Sequence, residues 1–379
     1  MIKIVVVTGT RADYGIYYPI LKEIDKDFEL DLHLIVTGMH LKAEYGDTEH
    51  FIEKDGFRIS ARVENLQEDS THANMAKSVG LAVLGMTQAM EDISPDCVLV
   101  LGDRGEMLAA AIVSSHMNIP LIHLHGGEVS GTIDESVRHA ISKLAHIHLT
   151  ATEGSRERLI KLGEDPWRIH VVGAPRIETI LNATLPSLES TKLNYSLNFI
   201  GSYILFIYHP VTTERQNIYK LKQLFEVLIA TKMSIVCVMP NSDAGAEDIL
   251  ELYHQFSGHQ GIFMVKSFEQ LDYLTMLKHA TILVGNSSSG IIEAASYRIP
   301  VINIGTRQWG RERSANIIDI DENGDQLSNA IKYVLSDDFQ EDLKVITNVY
   351  EKSGTSSATI QILKELVFSK QLIQKTITY

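Results

Sequence analysis

The sequence predicts an α/β protein made of two similar halves, each a parallel sheet wound on both faces by helices. Three observations carry this expectation. Short runs rich in Val, Ile and Leu alternate with longer amphipathic stretches along the whole chain. Strands that are apolar throughout, and not alternating, belong in parallel sheets covered on both faces. The pattern restarts after Gly173, and 379 residues are too many for one typical domain.

The elements follow in order. Strands are expected at Lys3–Val7, Asp31–Val36, Cys97–Leu101, Pro120–His123 and His146–Ala151. Helical stretches such as Tyr17–Asp25, Ala73–Ile93 and Gly105–His116 separate them. Residues 183–200 mix Ser, Asn and Leu without clear periodicity and read as the approach to the second half. Strands then recur at Tyr203–Tyr208, Ile235–Met239, Ile262–Val265, Ile282–Val284 and Val301–Ile304. No low-complexity tract or clear repeat joins the halves. In open α/β sheets ligands bind beyond the carboxyl ends of the strands, so a cleft faced by both halves is the expected site.

Composition narrows the class of partner. The formal net charge is −14, which disfavours nucleic acid because DNA and RNA need a basic face. No run of about 18 apolar residues could span a bilayer, and the chain opens on a strand without a signal-peptide core. The two cysteines, Cys97 and Cys237, lie in apolar strand-like runs and read as buried small hydrophobes, with no CxxC site. A reduced cytoplasm is the expected compartment.

The most informative stretch is 281–313. Its first strand, Thr281–Val284, ends in Gly285-Asn286-Ser287-Ser288-Ser289-Gly290, which opens a helix. A helix N-terminus offers unpaired N–H groups and partial positive charge, suited to phosphate. Small residues allow close approach, and serine hydroxyls add donors. Glu293, in the first turns of that helix, is placed to accept from ribose hydroxyls, and the next strand delivers the cation Arg307. One βαβ unit of this kind suits a nucleotide diphosphate.

Other strand ends carry further candidates. The first leads into Thr8-Gly9-Thr10-Arg11-Ala12-Asp13-Tyr14-Gly15, which is neither a P-loop nor GxGxxG. Arg11 either clamps a diphosphate or pairs with Asp13 in a solvated turn. Strand Cys97–Leu101 ends in Gly102-Asp103-Arg104, where Asp103 is a catalytic carboxylate or a helix N-cap. His123 and His125 share one face of an extended segment. A metal reading, with His139, His146 and His148 nearby, lacks any recognisable ligand spacing, so no metal is expected. Gly126-Gly127 keeps the following loop slim, as where substrate meets backbone. Thr132 and Glu135 fit a capping box, while Asp134 either acts in the site or pairs with Arg138. His209, at a strand end before Pro210, faces the site or is a satisfied core residue. Asn241 and Asp243 are ligand contacts or turn residues.

Together these motifs resemble the UDP-N-acetylglucosamine 2-epimerase family, and most closely its hydrolysing branch. The matching segments are TGTRADYG from Thr8, LGDRGEMLA from Leu101, HGGEVSGTIDESVRHAISKLAH from His125, YHPVTTE from Tyr208, PNSDAG from Pro240, GNSSSGIIEA from Gly285 and PVINIGTRQWGRE from Pro300. They span nearly the whole chain, in order. The non-hydrolysing branch has Pro-Glu after its first GTR and GDT in place of Gly102-Asp103-Arg104; this chain has Ala12-Asp13 and GDR. No counterpart of the kinase half of the bifunctional animal enzyme is expected.

The resemblance implies two Rossmann-like domains of the glycosyltransferase-B type. They would comprise residues 1–175 with a C-terminal helix of about 366–379 crossing back to them, Phe368–Gln374 especially, and residues 176–365. It implies UDP contacts from Arg11, Arg104, His209, Asn241, Ser287, Ser288, Glu293 and Arg307, and Phe268 contacts uracil or is an ordinary core aromatic. It implies a catalytic set drawn from Asp103, Asp134 and His139, with Glu128 nearby. Many members carry Glu where this chain has His125, so His125 or Glu128 becomes a candidate for proton transfer there. An imidazole exchanges protons near neutrality. The partner is a UDP-sugar, no cofactor is needed, and a homodimer or homotetramer is implied.

The implied reaction turns UDP-N-acetylglucosamine into N-acetylmannosamine and UDP, through 2-acetamidoglucal, for sialic-acid type biosynthesis. The alternatives are the same reaction on the UDP-2,4-diacetamido-trideoxy sugar of legionaminic acid pathways, and a non-hydrolysing 2-epimerase releasing UDP-N-acetylmannosamine. From other classes come a glycosyltransferase, which would leave the Asp103 and Asp134 carboxylates without a purpose, and an inactive sugar-nucleotide-binding regulator.

Overall fold

The computed structural model describes residues 1–67, 69, 71–215, 217–366 and 368–378. The chain forms two compact units. The first comprises Met1–Glu128, Ile133–Leu181 and Lys352–Tyr379; the second comprises Val129–Thr132 and Asn182–Glu351.

The first unit is built on a seven-stranded sheet. Its strands are β1 (Ile2–Thr8), β2 (Leu30–Thr37), β3 (Ile59–Val63), β4 (Cys97–Leu101), β5 (Leu121–Leu124), β6 (Ile147–Thr150) and β7 (Ile169–Val171). The order is β3-β2-β1-β4-β5-β6-β7, parallel throughout. Alternate residues of β1 face opposite layers. Ile4 and Val6 pack with helices Arg11–Lys26 and Thr355–Glu365, whereas Val5 and Val7 pack with His72–Ile93 and Gly105–His116. All four are fully buried, and each such side chain contributes about 1.5–3 kcal/mol of hydrophobic stabilisation. Burial on both faces is why β1 reads as an unbroken apolar run.

The second unit repeats the plan with six strands: β8 (Tyr203–Ile207), β9 (Ser234–Val238), β10 (Ile262–Val265), β11 (Ile282–Gly285), β12 (Val301–Ile304) and β13 (Ile317–Ile320). Their order is β10-β9-β8-β11-β12-β13, again parallel. Helices cover both faces: Ile218–Ala230 and Gly324–Val334 on one, Gln270–His279 on the other.

Strand order reverses between β1 and β4 in one unit and between β8 and β11 in the other. Connections diverge to opposite faces at such a point and leave a crevice outside the strand ends. The Thr8–Arg11 and Gly102–Arg104 loops leave the first reversal. The loops holding His209 and Asn286-Ser287 leave the second.

Several local expectations need correction. β3, β7 and β13 were not expected as strands; each is a sheet edge and partly exposed, so none carries a clean apolar run. The first helix starts at Arg11 and not near Tyr17, because Thr10 and Asp13 form a reciprocal capping box. The approach segment 183–200 contains a helix, Leu188–Asn194, capped by Ser187. Near the C-terminus a short helix, Lys370–Ile373, belongs to the first unit; residues 367 and 379 of the expected 366–379 stretch lie outside the described residues. Cys97 and Cys237 are free and buried. Among the described residues no helix is long and apolar enough to cross a membrane.

Gly285 closes β11 at φ +139, and an added Cβ would sit 1.9 Å from the Ile207 carbonyl oxygen. The dihedral alone costs a non-glycine residue about 1–3 kcal/mol. Gly285→Ala is therefore expected to lower the thermal midpoint of the second unit by roughly 2–4 °C per kcal/mol lost. An unchanged calorimetric midpoint would contradict this.

Candidate active site

In the first unit the candidate groups gather around one buried cation. Arg138, on helix Ile133–Leu144, is 1% exposed. Its Nη2 pairs with the Asp103 carboxylate beyond β4. Its Nη1 lies 3.6 Å from Glu135 Oε2 and donates to the Glu128 carbonyl at 3.4 Å. The helix-cap reading of Asp103 is excluded: the N-cap of helix Gly105–His116 is Arg104, with no side-chain cap bond. Arg104 Nε lies 3.4 Å from Glu106.

Two imidazole–carboxylate pairs flank this cation. His125 follows β5 with φ +63, a left-handed conformation that non-glycine residues adopt at a cost. Its Nδ1 donates to Glu128 Oε1 at 2.5 Å. Among the described residues its buried Nε2 has no hydrogen-bond partner, and an imidazole whose single proton is on Nδ1 presents its lone pair there. His139 Nε2 donates to Glu135 Oε1 at 2.8 Å, and its buried Nδ1 has no partner among the described residues. Glu135, expected only to cap the helix, thus serves His139 and Arg138. Asp134 stands in the first turn of the same helix.

The other three histidines weighed for a metal, His123, His146 and His148, each have a protein partner. His123 Nε2 donates to the Gly102 carbonyl at 2.7 Å while Ser142 Oγ donates to its Nδ1 at 3.1 Å. His146 Nδ1 accepts from the Leu121 amide, and His148 Nε2 donates to Glu164. The slim loop at Gly126-Gly127 has an internal cause: a Cβ on Gly127, at φ +76, would meet the Ser155 carbonyl oxygen at 2.3 Å. Close packing, and not substrate approach, calls for glycine there.

Arg11 does not need Asp13. Its guanidinium lies over the rings of Phe51 (4.4 Å) and Tyr14 (5.6 Å). Asp13 is buried and accepts from Thr8 Oγ1 and from the Gly9 and Thr10 amides.

In the second unit Asn286, fully buried, holds the His209 backbone through both its side-chain atoms, at 2.7 and 2.8 Å. The Asn241 amide donates to His209 Nδ1 at 3.1 Å, which leaves the proton of the neutral ring on Nε2 as a donor. Asn241 and Asp243 bond to each other within their turn. Arg307 Nη1 and Gln308 Nε2 both donate to the Asn286 carbonyl, at 3.3 and 2.8 Å. So His209, Asn241, Ser287 and Arg307 are brought together through Asn286, which sequence reasoning passed over as a loop residue.

Two expectations here change, and for Phe268 the core alternative holds. The helix after Ser287 is only Ser288–Ile292, so its dipole is short, and Ser287 spends its side chain capping it. Glu293 is that helix's C-cap, buried and accepting from Ser289 Oγ at 2.8 Å. Phe268 is 5% exposed, edge-on to Tyr195 within the hydrophobic core.

Two Rossmann-like units with reversed strand order define a glycosyltransferase-B type fold, with cationic and acid–base groups at the strand ends. The solved UDP-GlcNAc 2-epimerase of Methanocaldococcus jannaschii, in complex with UDP-GlcNAc and UDP, matches with a TM-score of 0.80 and 19% identity over 96% of this chain and 99% of that one. The family model described as UDP-N-acetylglucosamine 2-epimerase matches residues 22–364. A hydrolysing UDP-N,N'-diacetylbacillosamine 2-epimerase from Legionella pneumophila is 41% identical, covering 100% of this chain and 99% of its own. A UDP-N-acetylglucosamine 2-epimerase from Neisseria meningitidis serogroup B is 38% identical over 89% of this chain and 88% of its own. The chain belongs to the UDP-N-acetylglucosamine 2-epimerase family, in its hydrolysing branch.

Burial holds His40 and His123 down to about 3 and His146 to about 4. Unfolded imidazoles titrate near 6.5, so below that pH the unfolded chain binds more protons and stability is lost as pH falls. Asp13, raised by burial from 3.8 to about 6, acts oppositely between those values. The imidazoles prevail, and the thermal midpoint is expected to drop between pH 7 and pH 5. A flat or rising midpoint would count against their being buried and neutral.

Proposed function

We propose that this enzyme converts UDP-N-acetylglucosamine into N-acetylmannosamine and UDP. The supporting observation is the first unit's cluster, in which Arg138 joins Asp103 to the His125–Glu128 and His139–Glu135 pairs. A 2-epimerase needs one group to take a proton from C2 and another to return one to the opposite face.

The C2 proton is not next to a carbonyl and is not acidic by itself. Departure of UDP breaks the C1–O bond, with its electron pair going to the diphosphate oxygen. Positive charge developing at C1 acidifies C2–H, the proton passes to an enzyme base, and 2-acetamidoglucal results. Water then adds its hydroxyl to C1 while a proton goes to C2 from the other side. His125 Nε2, oriented by Glu128, has the lone pair a base needs, and Asp103, Asp134 and His139 are the other proton carriers. Arg11, Arg104 and Arg307, the Nε2 proton of His209, Asn241 and the Ser287-Ser288 turn are assigned to UDP, whose growing negative charge they stabilise. The substrate is soluble, the compartment is the cytoplasm, the assembly is a homodimer or homotetramer, and the product feeds sialic-acid type biosynthesis.

A second substrate has specific support. The Legionella pneumophila relative, aligned over essentially both full lengths, is named for UDP-N,N'-diacetylbacillosamine. The same elimination and hydration would apply to that sugar.

Proton NMR in D2O separates these readings. Free N-acetylmannosamine carrying deuterium at C2 is expected from UDP-N-acetylglucosamine. Turnover of the diacetamido sugar alone supports the second reading, and release of UDP-N-acetylmannosamine would overturn the hydrolytic step.

A further inference from the structure

The reaction groups sit toward the start of helix Ile133–Leu144, and a second cluster of buried charge sits at its other end. Glu164 is fully buried and accepts from Lys143 Nζ (2.5 Å), His148 Nε2 (3.1 Å) and Lys375 Nζ (2.6 Å). Lys375 Nζ also donates to the carbonyls of Ser142 (3.0 Å) and Ala145 (2.7 Å), in and just after the last turn. Carbonyls at a helix end lack intrahelical partners, and a cation there complements the dipole.

Lys375 arrives from the C-terminal segment, which is itself tied down. Arg168 donates to the carbonyls of Gln371 (2.8 Å) and Leu372 (2.9 Å), the Thr378 amide donates to Gly163 (3.0 Å), and Leu372 is buried in the core. From the same helix end, Ser142 holds His123, which holds the Gly102 carbonyl beside Asp103.

We propose that Lys375 is a positioning residue: by capping the end of helix Ile133–Leu144 it fixes the alignment of Asp134, Arg138 and His139 on that helix, without touching substrate. This rests on the reading that those residues carry the 2-epimerase chemistry. Geometry is supported by charge. Burial lowers the Lys375 ammonium from 10.5 to about 8, with Lys143 and Arg168 adding repulsion and Glu164 opposing. His146, just before β6, and His148, on it, are pushed toward the neutral form, chiefly by burial, and Asp165 lies 3.5 Å from Arg168. Burial also raises Glu164, but His148, Lys143 and Lys375 outweigh it and bring the carboxyl to about 2.

Activity and stability should therefore part company above pH 8. Between about 8 and 10.5 the unfolded chain holds the Lys375 proton more tightly, so this group's share of stability rises with pH. Over the same window the folded ammonium is lost and the cap weakens, so turnover falls.

The test compares Lys375→Met and Lys375→Arg with the parent chain. Lys375→Met is expected to lower kcat about 10- to 100-fold at pH 7, with KM within about threefold. Lys375→Arg, which stays charged throughout this window, should keep more activity and lose the alkaline limb near pH 8, so that turnover falls only at higher pH. Unchanged kcat in Lys375→Met, or an unmoved alkaline limb in Lys375→Arg, would overturn the proposal. Hydrogen exchange supplies a readout without substrate: amides of residues 133–144 should exchange faster in Lys375→Met, and equal protection would overturn the proposal. If the parent chain turns over neither UDP-sugar, the functional reading fails alone and exchange still decides the cap.

Discussion

One buried guanidinium sets the arrangement of the first unit's reactive loops. Arg138 reaches the carboxylate of Asp103 beyond β4, the Glu128 carbonyl beyond β5 and the Glu135 carboxylate on its own helix. A cation 1% exposed is tolerable only with such partners. Removing one partner of a buried pair costs about 3–5 kcal/mol, because the remaining charge stays behind. The interaction is therefore both a constraint and a source of order: Asp103, His125 and His139 hang on loops and a helix whose common attachment is Arg138.

Parallel sheets supply the frame on which this works. Every strand of the first unit delivers its carboxyl end to the same edge, and the reversal between β1 and β4 opens space there. The second unit repeats the device at β8 and β11, with Asn286 in place of Arg138 as the organising residue. One unit is thereby rich in carboxylate–imidazole pairs, and the other in amide, hydroxyl and guanidinium donors. That division matches a reaction in which a sugar carbon exchanges protons while a diphosphate departs.

Central strands and the residues at their ends were legible in the sequence because burial on both faces writes an unbroken apolar run. Asp103, His125 and His209 were placed just beyond the ends of β4, β5 and β8 in this way. Edge strands β3, β7 and β13 were not, since partial exposure admits Arg62, His170 and Asp319 and breaks the run. Arg138 and Asn286 were weighed only for local roles, because their decisive partners lie far away in sequence. Glu135 shows the same competition: a capping-box spacing fits it locally, yet its carboxylate goes to His139 and Arg138. The length of the helix after Ser287 was overestimated from sequence, because the pattern does not reveal that it stops at Ile292.

A double-mutant cycle on kcat/KM, with Asp103→Asn, Arg138→Gln and the combined variant, tests the central claim most directly. If Arg138 acts through Asp103, the combined variant should lose little more than the worse single variant, since both remove one shared arrangement. Losses that multiply, with no coupling between the two sites, would contradict the account.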